Sequence, residues 1–99
     1  MCGIAGIISP NARNYSAEIQ KMTDAIAHRG PDAADHQFFE NAALGHRRLS
    51  IIDLSEGGKQ PMFSNTKKEC IVLNGEIYGY QEIKRDYAGY PFRGTSDTE

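Results

Sequence analysis

Short apolar blocks separated by turn residues run along the chain, and each block predicts an element. Gly3 to Ile8 (G-I-A-G-I-I) is an apolar run closed by Ser9-Pro10-Asn11. Its length and β-branching predict a buried strand. A helical pattern follows, with Ser16 as cap, Glu18 in the first turn, and Ile19, Met22 and Ile26 on one face. It is expected to end near His28. R29-G-P-D32 reads as a turn, because Gly30 precedes a proline and is driven out of helical backbone.

Two further runs, His36 to Phe39 and Ala42 to Arg47, predict an antiparallel hairpin with a tight turn at Glu40-Asn41. Leu49 to Leu54 is apolar, and Glu56-Gly57-Gly58-Lys59 is expected to be a flexible loop. Pro61 limits any strand across Gln60 to Phe63. Glu69 to Leu73 is expected to be an interior strand, with Cys70 as a buried thiol. It leads into Asn74-Gly75, a turn dipeptide in which Gly75 can take positive φ. Glu82 to Tyr87 predicts a short helix stopped by Gly89, and Phe92 to Thr95 a short strand. Ser96 and Glu99 have capping-box spacing, with Asp97 between them. That marks the first turn of a helix that continues no further in these residues, and a frayed polar tail is the other reading.

Composition narrows the class of protein. Ninety-nine residues make one small domain or a piece of one, and 39% hydrophobic with 24% charged residues is an ordinary globular balance. A formal charge of -2 gives no electrostatic reason for a nucleic-acid or anionic-membrane partner. No apolar run approaches the roughly 20 residues of a membrane span. The start lacks the basic region of a signal peptide, so a cytoplasmic location is expected. The two cysteines, Cys2 and Cys70, make neither a disulfide scaffold nor a paired metal motif. His28, His36 and His46 lack metal spacing and are expected at the surface or as satisfied interior residues. The glycines form no phosphate-binding loop.

Cys2 is the first candidate for chemistry. If Met1 is removed, one residue carries both a thiol and an α-amine. An α-amine with a reference pKa of about 7.7–8.0 can act as general base near neutrality. The plain alternative is a small residue at a strand start. Asn74 and the N–H of Gly75 would suit an oxyanion hole, or be an ordinary turn. Arg48 can pair bidentately with a carboxylate, or be an exposed strand residue. Asp97 can receive an ammonium group and Glu76 can order the turn or touch substrate. Together these groups suit a zwitterionic amino acid with a reactive side-chain carbonyl.

Six blocks in order carry a family resemblance: M1-C-G-I-A-G-I7, H28-R-G-P-D32, G45-H-R-R-L-S-I-I-D53, Q60-P-M62, L73-N-G-E-I-Y78 and S96-D-T-E99. The chain resembles the class II glutamine amidotransferase domain, and its R-G-P-D, R-L-S-I-I-D, Q-P-M and N-G-E-I-Y forms resemble the glutamine-hydrolysing asparagine synthetase branch. The resemblance implies an α+β fold, part of a four-layer αββα sandwich of two mainly antiparallel sheets, with residues 1–99 as a truncated N-terminal portion. It implies Cys2, Asn74 and Gly75 as catalytic residues acting on L-glutamine through a γ-glutamyl thioester. Arg48 would hold the substrate α-carboxylate, while Asp97, Glu76 and backbone groups of Leu49, Ser50, Ile51 and Ile52 would hold the rest. The glutaminase portion would need no cofactor. ATP and magnesium would belong to a synthetase domain that forms asparagine from aspartate and is absent here.

One departure is Gly79, where the family usually has asparagine, and its lost side chain is expected to loosen the loop. Half a sandwich would leave apolar surface for self-association or a partner. That points to the other reading, an inactive fragment or accessory binding module. A cysteine protease or other terminal-nucleophile hydrolase is a third, which Arg48 and Asp97 fit less well.

Overall fold

The computed structural model describes residues 1–50 and 55–99; the expectations for Ile51, Ile52 and the rest of the apolar stretch to Leu54 lie outside them. A three-stranded antiparallel sheet is built from β1 (Gly3–Ile8), β2 (Ala33–Phe38) and β3 (Ala42–Arg48), in the order β1-β3-β2. The helix α1 (Ser16–Ala25) packs on one face of it. A two-stranded antiparallel sheet joins β4 (Met62–Phe63) to β5 (Cys70–Ile71), and a second helix, α2, covers Tyr80–Asp86. The architecture is a mixed α/β fold with two small antiparallel sheets, consistent with part of an αββα sandwich.

The hairpin forms where the pattern predicts it. Phe38 pairs with Ala43, and the Phe39 N–H donates to the Ala42 carbonyl at 2.7 Å. The strand β1 pairs with β3 in the register Gly3↔Arg47 to Ile8↔Ala42. Alternation then puts Ala5, Ile7, Ala43 and Phe38 against α1, where Ile19 and Ala12 complete the core. Ile4 and Ile8 point to the other face and are 48% and 82% exposed. This corrects the expectation of a buried first strand: among the described residues β1 has one hydrogen-bonded neighbour, and one of its faces is largely open.

Other elements differ from the pattern for identifiable reasons. A 3-10 turn over Ala12–Tyr15 runs straight into α1, so Ser16 is the first helical residue and caps nothing. The buried stripe of α1 is Ile19 and Thr23 rather than Ile19 and Met22. Thr23 is tolerated there because its hydroxyl donates to the Ile19 carbonyl at 2.7 Å and meets His36 Nε2 at 2.9 Å. Beyond Ala25 the chain tightens into successive i→i+3 turns up to Gly30. Residues 56–59 are not a flexible loop: Glu56–Gly58 form a 3-10 turn whose Ser55 hydroxyl accepts from the Gly57 N–H.

The expected interior strand over residues 69–73 shortens to Cys70–Ile71, with Ile71 47% exposed and Cys70 partly buried. Residues 92–95 form no strand. The Arg93 and Gly94 N–H groups donate instead to the carboxylate of Glu99, at 2.6 and 3.0 Å. Residues 96–99 begin no helix and are not a frayed tail either. The Ser96 hydroxyl accepts from the Thr98 N–H, Ser96 is buried, and the Glu99 side chain is almost fully enclosed against Arg93. Positive φ falls on Gly79, at 75°, rather than on Gly75. Gly79 is the N-terminal cap of α2, so its left-handed backbone starts that helix.

The exposed area is 6342 Å², above the roughly 5,600 Å² expected for a compact chain of this mass. The radius of gyration is 14.0 Å, where about 12.6 Å would be compact. Both excesses agree with a small core and an open sheet face. Among the described residues no helix is long and apolar enough to cross a membrane.

Candidate active site

Strand β3 carries His46, Arg47 and Arg48 at its end, and antiparallel pairing sets that end beside the start of β1, where Cys2 lies. The Leu49 N–H donates to Cys2 Sγ at 3.3 Å, and the thiol faces the Leu49 carbonyl at 3.7 Å. These two bonds, between residues 47 positions apart, extend the closure that the β1–β3 pairing begins.

The carbonyl of Cys2 is held from two sides. Arg29 Nε donates to it at 3.0 Å, and Asn74 Nδ2 donates to it at 3.1 Å when the Asn74 amide is oriented to satisfy both its ends. In that orientation Asn74 Oδ1 accepts from Arg29 Nη2 at 3.3 Å. Arg29 therefore ties Cys2 to Asn74. Its position depends on Gly30, which packs against the Arg47–Arg48 peptide. A Cβ at Gly30 would sit 2.4 Å from the Arg47 carbonyl carbon. Arg47 Nε closes the turn by donating to the Gly30 carbonyl at 2.9 Å.

An open cleft collects most of the candidate residues. Cys2, Arg48, Leu49, Asn74, Gly75, Glu76 and Asp97 all line it, together with Met1. Arg48 is only 7% exposed, and its Nη1 donates to the Ser55 carbonyl at 2.7 Å. Asp97 Oδ2 accepts from the Ile77 N–H at 2.9 Å, which links the last segment to the stretch after Gly75. Ser50 does not line the cleft: its N–H donates to Asp32 Oδ2 at 2.7 Å. Ile51 and Ile52 lie outside the described residues.

The cleft also contains polar groups to which sequence reasoning assigned no part in it. His46 is fully buried, and its Nε2 lies 3.2 Å from the Leu73 carbonyl. Burial pushes the His46 pKa down, the Leu73 carbonyl opposes this, and the Arg48 charge lowers it further. A carbonyl partner requires a proton on Nε2, so neutral His46 is the Nε2–H tautomer. Gln60 is buried too and bonds to Leu73 and Thr98. The only sequence signal for Arg29 and Gln60 was their place in the R-G-P-D and Q-P-M blocks. Away from the cleft, burial raises the Cys70 thiol pKa, partly opposed by the Ile71 backbone. Among the described residues no three His, Cys, Asp or Glu side chains cluster as metal ligands.

Comparison with known proteins agrees with the motifs. A family model described as a glutamine amidotransferase domain matches residues 1–99. The chain is 40% identical over 103 aligned residues to asparagine synthetase (glutamine-hydrolyzing) 2 of Bacillus subtilis, covering all of this chain and 14% of that protein. It is 42% identical over 113 residues to amidase chry2 of Gibberella zeae, covering 100% and 17%. Against asparagine synthetase B (glutamine-hydrolyzing) of Escherichia coli it is 35% identical over 102 residues, covering 100% and 18%. The chain thus spans less than a quarter of the length of these relatives. Over its whole length it belongs to the glutamine amidotransferase domain family, in the class II branch homologous to the glutamine-hydrolyzing asparagine synthetases.

Proposed function

We propose that this chain carries the glutaminase half-reaction, hydrolysing L-glutamine to glutamate and ammonia through a thioester on Cys2. One observation carries the reading: the Cys2 thiol shares a single cleft with Arg48, Asn74, Gly75, Glu76 and Asp97. After removal of Met1, the α-amine of Cys2 takes the thiol proton. The sulfur then attacks the side-chain amide carbon of glutamine. Asn74 has two N–H groups and uses one on the Cys2 carbonyl, leaving the other for the oxyanion beside the Gly75 N–H. The protonated amine returns its proton to the leaving nitrogen, which departs as ammonia. Water then hydrolyses the thioester to glutamate and the free thiol.

Arg48 pairs with the substrate α-carboxylate through donors not used on Ser55. Asp97 and Glu76 receive the α-ammonium group, with the Leu49 backbone beside them in the cleft. Ser50, whose N–H is taken by Asp32, stays outside the cleft. In this reading residues 1–99 are the N-terminal portion of a class II domain. The ammonia passes to a synthetase domain that uses ATP and magnesium to make asparagine from aspartate. A cytoplasmic location belongs to the same proposal and accords with two unpaired cysteines.

A second reading, a catalytically silent module bound to itself or to a partner, draws on the exposed Ile4 and Ile8 and the excess surface. One assay separates the two. The Met-processed chain is incubated with glutamine, and glutamate and ammonia are measured. Equimolar release, absent in Cys2→Ala, is expected. Turnover no higher than that of Cys2→Ala sinks the glutaminase reading for this chain.

A further inference from the structure

The residue before Asn74 is held in an uncommon way. Strand β5 ends at Ile71, and among the described residues the backbone that follows has no sheet ladder to satisfy it. Both peptide groups of Leu73 are taken instead by buried side chains. Gln60 Oε1 accepts from the Leu73 N–H at 2.6 Å, and His46 Nε2 donates to the Leu73 carbonyl at 3.2 Å. His46 is 1% and Gln60 7% exposed. Gln60 does more than hold Leu73. Its Nε2 donates to Thr98 Oγ1 at 3.0 Å, and Thr98 directly follows Asp97. One side chain thus joins the segment carrying Asn74 and Gly75 to the segment carrying Asp97.

We propose that His46 and Gln60 are positioning residues that clamp Leu73 and so set the Asn74-Gly75 turn against Cys2, with Gln60 also registering Asp97 to that turn. The catalytic meaning of the clamp rests on the glutaminase reading. The clamp itself is a statement about local order. The hydrogen bonds of the Cys2 sulfur go to Leu49, not to His46 or Gln60; both side chains act through the backbone next to Asn74, whose amide bonds to the Cys2 carbonyl. A displacement of about 1 Å at such groups can lower turnover roughly a hundredfold. The two residues differ in reach, which separates their effects. His46 holds only the turn, and its loss should lower kcat with KM little changed. Gln60 holds the turn and the Asp97 segment, and its loss should lower kcat and raise KM.

Backbone amide exchange in the full chain tests the clamp without requiring turnover. In Gln60→Met the amides of Leu73 to Gly75 and of Asp97 and Thr98 are expected to exchange at least about tenfold faster than in the parent, as local opening predicts. In His46→Phe the increase is confined to residues 73–75, and His46→Gln, which keeps a side-chain N–H donor, restores protection. Unchanged exchange at Leu73 in Gln60→Met overturns the proposal. So does an increase spread equally over β1 and β3, which would mark general destabilisation. Steady-state kinetics then read the catalytic consequence: kcat down about tenfold or more in both variants, with KM raised clearly only in Gln60→Met. Unchanged kcat in both also overturns it. A parent chain that never turns over glutamine counts against the glutaminase reading, and the exchange data still decide the clamp.

Discussion

Arg48 donates through Nη1 to the Ser55 carbonyl at 2.7 Å, so one arm of its guanidinium is fixed by the backbone seven residues further on. A fork held at one corner presents its remaining donors in a set direction. Arg48→Ala is expected to raise the KM for glutamine by roughly ten- to a hundredfold, the range for losing a hydrogen-bonded charge contact of about 1.5–3 kcal/mol. Arg48→Lys should recover only part of this, since an ammonium group cannot hold Ser55 and a carboxylate with fork geometry. Initial rates well below saturation check both variants.

His46 makes stability depend on pH in a definite direction. Its pKa is lowered in the folded state, first by burial, so the unfolded chain binds the proton more readily. The contribution is complete above the unfolded histidine value, about 6.5, and is lost as pH falls through the lower folded value. The limiting slope for one proton is about 1.4 kcal/mol per pH unit. Urea midpoints between pH 8 and pH 4.5 are expected to fall more steeply in the parent than in His46→Phe. Parallel profiles would contradict the assignment.

Gly30 is a steric necessity. A Cβ there would lie 2.4 Å from the Arg47 carbonyl carbon and 2.6 Å from the Arg48 nitrogen, both backbone atoms. Gly30→Ala is expected to cost about 2 kcal/mol or more, because the turn or the strand must move. Moving the turn also shifts Arg29 from the Cys2 carbonyl. Chemical denaturation reads the first effect, and the rate of Cys2 alkylation reads the second.

Gly79 shows the opposite case, with open space around it and a φ of 75°. Its need is conformational rather than steric. Gly79→Ala should destabilise by about 1–2 kcal/mol, the cost of left-handed backbone for an ordinary residue. Gly79→Asn should cost much less, because asparagine tolerates that conformation. The position where the family usually has asparagine is thus one that asparagine and glycine can both fill. The left-handed cap replaces the expectation of a merely loosened loop. Thermal unfolding of the two variants side by side is the check.

Local pattern made much of the first half legible. The run Gly3 to Ile8, the hairpin across Glu40-Asn41 and the helical stripe through Ile19 each depend on neighbours within a few residues. The second half was less legible because side chains, near and distant, replace the sheet ladder as partners of its backbone. Leu73 bonds to Gln60 and His46, Arg93 and Gly94 bond to Glu99, and Ile77 bonds to Asp97. Apolar pattern alone extended a strand through 69–73 and placed another at 92–95. It carries no sign that a side chain would replace a strand as hydrogen-bond partner.

By itself, the sequence determined the chemical types and their order: a cysteine after the first residue, then Arg48, Asn74-Gly75 and Asp97, within six ordered blocks. It also determined the strand–helix–hairpin succession, because side-chain periodicity is a local property of the backbone. The tertiary structure decided which of these groups meet. It brought Cys2 to Leu49, tied Arg29 to both Cys2 and Asn74, left Ser50 to Asp32, and gave Leu73 to His46 and Gln60. The physical reason is that such meetings are set by strand register and by the pairing of buried polar groups across long stretches of chain, which no local window of residues contains.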